Sequence, residues 1–337
     1  MAYRIDAGQP IPDEIRRVFF EEIDSAVKQL TTHPSKDRDE SIHEARKSLK
    51  KLRALLRLVT PLIGNETYRK ENQALRGVGR KLSHLRDARA TIEIFEAVVK
   101  EAEARKTLDG SLIQSIRSRL EEHKSQTEQR IDIEETLRSA VAALQSVRGH
   151  VDEYQLSPGG FEDLERGLKN VYRRGQKAMK KAVKTSAADN FHNWRKRVKD
   201  HWYHMRLLGA LDTAFVETRE EDLRKLETWL GDDHNLVVLR DTINSDGARF
   251  GHPKQVRQFL ALIKQHGQEL REKALGLGEY LYGLKPKRLI TELGKAREIW
   301  PAESKNVPAR VGNLTGRQPR KRPASAPAPR SHARARA

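Results

Sequence analysis

The chain contains no cysteine among its 337 residues, which excludes disulfide bonds and thiolate metal sites and is consistent with a reducing compartment. Aromatic residues make up only 6% of the sequence and mostly fit core positions. No segment approaches 18 consecutive apolar residues, so no transmembrane helix is expected, and the first residues lack the apolar region of a signal peptide. We therefore expect a soluble, cytoplasmic protein without a membrane partner.

Positive charge is the dominant feature of the composition. The sequence has 65 lysine and arginine residues against 47 acidic residues, which gives a net charge of +18 and an isoelectric point near 10. The segment 301–337 carries about +8 of this charge, since it holds nine basic residues and one acid. Such a balance favours an anionic partner, which could be nucleic acid, an anionic membrane or a phosphate polymer.

The pattern of apolar residues predicts helices almost throughout, because alternating β-branched runs are absent. Breaks are expected at segments rich in glycine and proline, among them Ser157–Gly160, which we interpret as a hinge. The predicted helices are 12–31, 40–62, 66–84, 87–107, 110–147, 160–184, 190–209, 214–230, 234–244, 253–275 and 286–299.

One basic helix occurs twice, 149 residues apart. Five residues of the first copy recur at the same offsets in the second: His43, Arg46, Lys47, Lys50 and Arg57 become His192, Arg195, Lys196, Lys199 and Arg206. At 100° per residue these offsets fall within an arc of about 100° and extend over about 21 Å. A single amphipathic helix with this face would be unremarkable in a basic protein, but two copies with matching histidines favour a binding surface.

The opposite face of each copy is apolar and is predicted to pack in the core. Its residues are Ala45, Leu49, Leu52, Leu55, Leu56 and Val59 in the first copy, and Trp194, Val198, Met205 and Leu208 in the second. Ser41 with Glu44 forms a capping-box pattern, and Asn190 is a suitable N-cap. These caps would place both histidines in the first helical turn, where an anion is favoured.

The repeat continues beyond the basic helices. The segment Leu82–Ala88 aligns with Leu230–Leu236, and each is predicted to be a short break followed by a helix that Asp87 or Asn235 caps. Two similar helical halves indicate an internal duplication with pseudo-twofold symmetry. The two basic faces could then meet across the axis and line one groove.

Two further basic segments lie outside the duplicated helices. A stripe before the second copy includes Arg173, Arg174, Lys177 and Lys181, and it is either a binding surface or a solvated helix face. The segment 301–337 has low complexity and too few large apolar residues to fold alone, so we expect it to be disordered. It is interpreted as an additional polyanion-binding arm, with nucleic acid among its candidate partners, or as a solubilising tail.

At the duplicated motifs His43-x-x-Arg46-Lys47-x-x-Lys50 and His192-x-x-Arg195-Lys196-x-x-Lys199, the chain resembles a CHAD domain, the conserved histidine α-helical domain. The junctions Leu82-Ser83-x-x-Arg86-Asp87 and Leu230-Gly231-x-x-His234-Asn235 fit the resemblance, as does Gly167-Leu168-x-x-x-Tyr172-Arg173-Arg174-Gly175. The similarity extends over about residues 8–300, with halves 8–156 and 157–300. Asn235 stands where the family usually has aspartate, and the basic tail lies outside the family pattern.

The resemblance implies an all-α fold of two four-helix bundles related by a pseudo-twofold axis, with a basic central groove. It also implies non-enzymatic binding of inorganic polyphosphate and association with polyphosphate granules. No E-x-E-x-K strand of a fused triphosphate-tunnel domain is visible at the N-terminus, so we expect a stand-alone domain. The predicted polyphosphate-binding residues are His43, Arg46, Lys47, Lys50, Arg53, Arg57, Arg173, Arg174, Lys177, Lys181, His192, Arg195, Lys196, Lys199 and Arg206. The histidines predict tighter binding near pH 6 than near pH 8.

Two alternatives remain open from the sequence. A nonspecific nucleic-acid-binding protein could use the same basic faces and tail, although no known nucleic-acid-binding motif is visible. An enzyme acting on phosphates could use the spacings Asp232-Asp233-His234 or His201-x-x-His204 as metal ligands, but capping and a histidine-rich helix face also explain them. There is no P-loop and no nucleophile with an evident base, so we expect no catalysis, cofactor or metal.

Overall fold

The computed structural model describes residues 3–6, 9–32, 38–104, 110–156, 161–209, 214–245, 250 and 252–295. The predicted hinge at 157–160 and the tail 301–337 lie outside these residues. The described part of the chain forms nine α-helices and a single-turn 3-10 helix (Val151–Glu153), with no β-strand, so the predicted all-α class is confirmed. The α-helices are α1 (Ile11–Thr31), α2 (Arg38–Ala104), α3 (Gly110–Gln129), α4 (Ile133–His150), α5 (Phe161–Thr185), α6 (Ala188–Leu207), α7 (Ala214–Ser245), α8 (Pro253–Tyr282) and α9 (Pro286–Lys295).

Helix α2 is longer than predicted and bends at one residue. Gly64 has a φ of 81°, a left-handed conformation that glycine adopts without the steric cost of a side chain, and Pro61 lies in the preceding turn. The bend divides α2 into a first arm, 38–63, and a second arm, 65–104. Each basic helix is thus followed along the chain by a longer helix, the second arm of α2 in one case and α7 in the other.

Both junction segments are helical, so the breaks predicted near residues 82–88 and 230–236 are wrong. Asp87 and Asn235 accordingly lie within helices and not at helix starts. In the second junction the buried Asp233 forms an ion pair with Arg271 of α8 (2.7 Å), which satisfies a polar residue that in sequence suggested a loop.

A further break was missed between α3 and α4, which the sequence predicted as one helix. The side chain of Asp132 accepts a hydrogen bond from the backbone N–H of Glu135 (2.9 Å) and caps α4. Glu134 and Glu135 then lie in the first turn, where negative charge is favourable.

The caps predicted for the two basic helices are wrong. Helix α2 already includes Arg38 and α6 begins at Ala188, so Ser41 and Asn190 lie within the helices. The side chain of Asn190 instead donates a hydrogen bond to Thr185 Oγ1 (2.6 Å), which ties α6 to the end of α5. His43 and His192 therefore lie in the second turn, beyond the unpaired backbone N–H groups of the first turn that would favour an anion.

The hydrophobic core consists of two clusters, and each takes residues from both halves of the chain. The larger cluster includes all the apolar residues that the sequence assigned to the buried faces of the two basic helices. The smaller cluster joins the second arm of α2 and α3 to α7 and α8, where the rings of Phe95 and Phe259 pack edge to face at 5.8 Å. The division into two bundles with a pseudo-twofold axis stays a prediction.

The glycines of the segment 167–175 allow unusually close packing. A Cβ atom added to Gly167 would lie 1.9 Å from the carbonyl oxygen of Leu58, so the backbones of α5 and α2 are in direct contact. At Gly175 a Cβ would lie 2.3 Å from the ring of Tyr282. These contacts hold α5 against the first arm of α2 and the end of α8. None of the described helices has the length and apolar composition needed to cross a bilayer.

Candidate functional site: a crossing of two cationic helices

The first arm of α2 packs directly against α6. The two helices share the larger hydrophobic cluster, and Nε2 of the buried His204 lies 2.8 Å from the carbonyl oxygen of Ala54. Burial lowers the pKa of His204 to about 4, so this histidine is neutral at physiological pH and Nε2 donates to the carbonyl. The contact fixes the position of one basic helix relative to the other.

Four cations from the two repeats meet beside this contact. We call Arg46, Lys50, Arg195 and Lys199 the cationic crossing. The first two residues align with the last two when the chain is compared with itself at an offset of 149 residues. Burial, followed by the charges of Lys199, Arg46 and Arg195, lowers the pKa of Lys50 to about 7. A lysine with this pKa is only about half protonated at neutral pH, so the crossing carries less than its full positive charge in the free protein.

Glu227 of α7 lies within the crossing. Its carboxylate contacts Lys199 Nζ at 2.6 Å and the Arg195 guanidinium at 3.0 Å, and its side chain is 13% exposed. Burial alone would raise the pKa of Glu227, but Lys199 and Arg195 bring it below its ordinary value, so the group stays ionised. The carboxylate holds two of the four cations in place and partly neutralises them.

A second basic patch continues along the same helices. Burial and the neighbouring Arg57 lower the pKa of Arg53 to about 10, and Arg76 of the second arm contributes. Burial also lowers the pKa of Lys196, with Arg197, Arg76 and Arg53 adding to the effect. Cations from both arms of α2 and from α6 therefore lie close enough to disfavour one another's charge.

Arg57 serves a different purpose from the exposed cations. Its guanidinium forms an ion pair with Asp200 at 3.2 Å, and both side chains are less than 10% exposed. Asp200 also contacts Arg197 at 3.1 Å. A buried arginine with a buried carboxylate partner fixes the packing of α2 on α6, and the structure gives it little access to a ligand.

His192 lies at the start of the second cationic face against the junction in α7. Its ring stacks on that of His234 with centroids 3.8 Å apart, and an added Cβ at Gly231 would lie 3.2 Å from the guanidinium of Arg195. Burial, then His234, Lys196 and Arg195, lowers the pKa of His192 to about 4. His192 is therefore neutral from pH 6 to pH 8 in the free protein.

The comparison with known protein families is decisive at this point. The family model of the CHAD domain matches residues 21–244, which include both basic helices and both junctions. The chain belongs to the CHAD domain family. No curated protein is significantly similar to it in sequence.

Solved structures share the fold of this CHAD domain at low sequence identity. The crystal structure of the CHAD domain from the plant Ricinus communis matches with a TM-score of 0.60 and 14% identity, covering 85% of this chain and 96% of that chain. PptA from Streptomyces chartreusis matches with a TM-score of 0.54 and 13% identity, covering 82% of this chain and 100% of that chain. At these identities the similarity establishes the fold alone.

The remaining predicted residues of the CHAD domain lie around the crossing or apart from it. Lys47 is exposed and pairs with Glu44, while Arg206 lies 3.6 Å from Glu220 of α7 and over the ring of Trp202. His43 is half-buried and engaged in interactions within the protein. The four residues of α5 that were predicted to bind are all exposed, and the contacts in the described part of the chain connect none of them to the crossing: Arg173, Arg174, Lys177 and Lys181.

Side chains of both motifs that were considered as metal ligands form other contacts. His201 is buried, with Nδ1 3.4 Å from the hydroxyl of Tyr282, and His204 contacts the backbone of α2. Asp233 is held by Arg271. Among the described residues, no group of three or more histidine, aspartate or glutamate side chains is arranged to hold a metal ion.

Sequence reasoning missed Glu227, Arg76 and Asp200. Glu227 lies three residues before the junction Leu230-Gly231, and Arg76 lies six before Leu82, so both precede motifs that were recognised. Glu227 has no acidic counterpart in the first half, because the 148-residue offset of the junctions places Gly79 there, whereas Arg76 is matched by Arg224 at the same offset. The asymmetry at Glu227 and the repeat of Arg76 were the available signals.

Proposed function

We propose that this CHAD domain binds inorganic polyphosphate without catalysis, through the cationic crossing and the adjacent patch of Arg53, Arg76 and Lys196. The observation that carries the proposal is the approach of Lys50 and Lys199, two half-buried lysines at matching positions, with Arg46 and Arg195 beside them. Like charges held together in a partly buried place raise the free energy of the free protein. A polyanion that lies across them would remove this cost.

The chemistry of the crossing suits a regular chain of phosphates. Arg46 and Arg195 can each donate two hydrogen bonds to phosphate oxygens, whereas Lys50 and Lys199 act as point charges. Each phosphate that is neutralised releases condensed counterions, so affinity would fall steeply with salt concentration. The proposal needs no sequence readout and therefore no aromatic platform, which agrees with the small aromatic content.

Binding to a long polymer would also place the protein where the polymer accumulates. We accordingly propose targeting to polyphosphate granules as the physiological consequence. Granule targeting is tested separately from binding, by the localisation of a fluorescent fusion in cells that do and do not accumulate polyphosphate.

The decisive experiment is a titration of long-chain polyphosphate at moderate and high salt. We expect the double variant Arg46→Glu with Arg195→Glu to lose binding by at least a hundredfold. The matched control is Lys28→Glu with Arg138→Glu, which makes the same change in net charge at exposed positions of α1 and α4 and should retain most of the affinity. Circular dichroism establishes that both variants are folded.

Two further arms separate the alternatives. A truncation at Pro301 should retain binding; if it abolishes binding while the double variant still binds, the tail is the binding element and the crossing is not. Competition with DNA or RNA of equal charge tests the alternative partner, since equal displacement of polyphosphate would favour a nonspecific nucleic-acid-binding protein. Metal-dependent release of phosphate from the polymer would contradict the nonenzymatic proposal.

A further inference from the structure

A second concave site lies between α7 and α8, away from the cationic crossing. It is a trough of about 520 Å³ whose floor is aliphatic and includes Leu236, Leu260 and Ile263. Leu236 lies nine residues after Glu227 on α7, which places it about 180° around the helix. The trough and the crossing therefore open on opposite faces of α7, and a ligand of one does not occupy the other.

Cations follow one edge of the trough. Arg257, Lys264 and Arg271 recur every seven residues on α8, so they share one face of the helix and extend over about 21 Å. Arg257 and Lys264 are exposed, whereas Arg271 is partly neutralised by Asp233 at 2.7 Å. The trough thus combines an apolar floor with a positive rim, which is complementary to a molecule with an apolar body and an anionic group.

The volume and charge of the trough favour a small amphiphile as its occupant. A volume of about 520 Å³ lies within the range of small-molecule sites, which bury most of the apolar surface of their ligand. An extended peptide would find no strand edge to pair with, because the walls are helices whose own backbone groups are already bonded. A single aliphatic chain needs no hydrogen-bonding partner on the apolar floor.

The lining residues support the same occupant. They contain no aromatic side chain on which a flat base could stack, while Val237 and Ala261 add aliphatic surface to the floor. We propose that the trough between α7 and α8 binds one monomeric, single-chain amphiphile with an anionic head group, either a carboxylate or a phosphate. The chain lies on the aliphatic floor and the head group contacts Arg257 or Lys264.

The test is calorimetric titration of the full-length protein with decanoate and with decyl phosphate, each as a monomer below its micelle concentration. We expect one molecule bound per chain and at least tenfold weaker binding in Ala261→Trp, whose indole fills the floor. The matched control Gln258→Trp places the same side chain at an exposed position of α8 outside the trough and should bind as the unmodified protein does.

Charge variants test the rim. Arg257→Glu with Lys264→Glu should weaken binding at least tenfold, whereas Lys254→Glu with Lys273→Glu, exposed on α8 outside the trough, should change it less than threefold. Decanol, which lacks the anionic group, should bind more weakly than decanoate. Equal binding by Ala261→Trp and Gln258→Trp, several molecules bound per chain, or binding to anionic phospholipid vesicles without binding of either monomer would overturn the proposal.

Discussion

The half-buried Lys50 predicts that polyphosphate affinity depends on pH through a lysine. In the free protein its pKa is about 7, because burial and the charges of Lys199, Arg46 and Arg195 disfavour the protonated form. A polyanion across the crossing reverses that balance and returns the pKa toward the ordinary lysine value of about 10.4. Binding above neutral pH should therefore be accompanied by uptake of one proton.

The size of the effect follows from the two pKa values. At pH 6 Lys50 is already about 90% protonated in the free protein, whereas at pH 8 it is only about 10% protonated. If the lysine is fully protonated in the complex at both pH values, affinity falls about tenfold from pH 6 to pH 8, or about 1.4 kcal/mol. Calorimetry in buffers of different ionisation enthalpy should detect uptake of about 0.9 proton at pH 8 and about 0.1 at pH 6.

Two substitutions distinguish Lys50 from other titrating groups. Lys50→Arg keeps the charge at every relevant pH and should remove the tenfold change, with little loss of affinity at pH 6. Lys50→Met should remove the change as well and bind more weakly at pH 6. If Lys50→Arg shows the same pH dependence as the unmodified protein, the lysine is not responsible and the reasoning from its burial is refuted.

Three other predictions concern residues that surround or support the crossing. Glu227→Gln should raise polyphosphate affinity three- to tenfold, about 1 kcal/mol, because a negative charge leaves the binding surface; unchanged affinity in a titration would contradict its placement. Asp200→Asn should lower the free energy of unfolding by about 3 kcal/mol in chemical denaturation, since it leaves a buried arginine unpaired. Gly167→Ala should destabilise the fold by about 3 kcal/mol, because the added methyl group clashes with Leu58. The control Gly77→Ala adds a Cβ that meets no atom within 4 Å, so in the same assay it should be neutral or stabilising by up to about 1 kcal/mol.

The helical class and the buried faces could be predicted because they depend on local periodicity. Every apolar residue assigned to the inner face of the two basic helices is buried, and the family resemblance drawn from the doubled motifs is confirmed. These features repeat within a few turns of sequence, so they are visible without knowledge of tertiary contacts.

The helix ends and the acidic members of the site could not be predicted because they depend on contacts between distant elements. Polar residues near 232–235 suggested a break, yet Asp233 is satisfied by Arg271 of another helix. Asn190 has the composition of a cap, but its amide bonds Thr185 instead. The low pKa of His192 likewise results from packing on His234, 42 positions away in the sequence.

The sharing of both hydrophobic clusters between the two halves has a consequence for synthesis of the chain. The second arm of α2 and α3 bury Phe95, Val98 and Ile116 with residues of α7 and α8, which leave the ribosome only after the first half is complete. At about 5–20 residues per second, the 153 residues from the end of α3 to the end of α8 require roughly 8–30 s. During that interval the first half exposes apolar surface that later-made helices will cover, so newly made chains should depend on chaperones more strongly than a protein of two independently folding halves would.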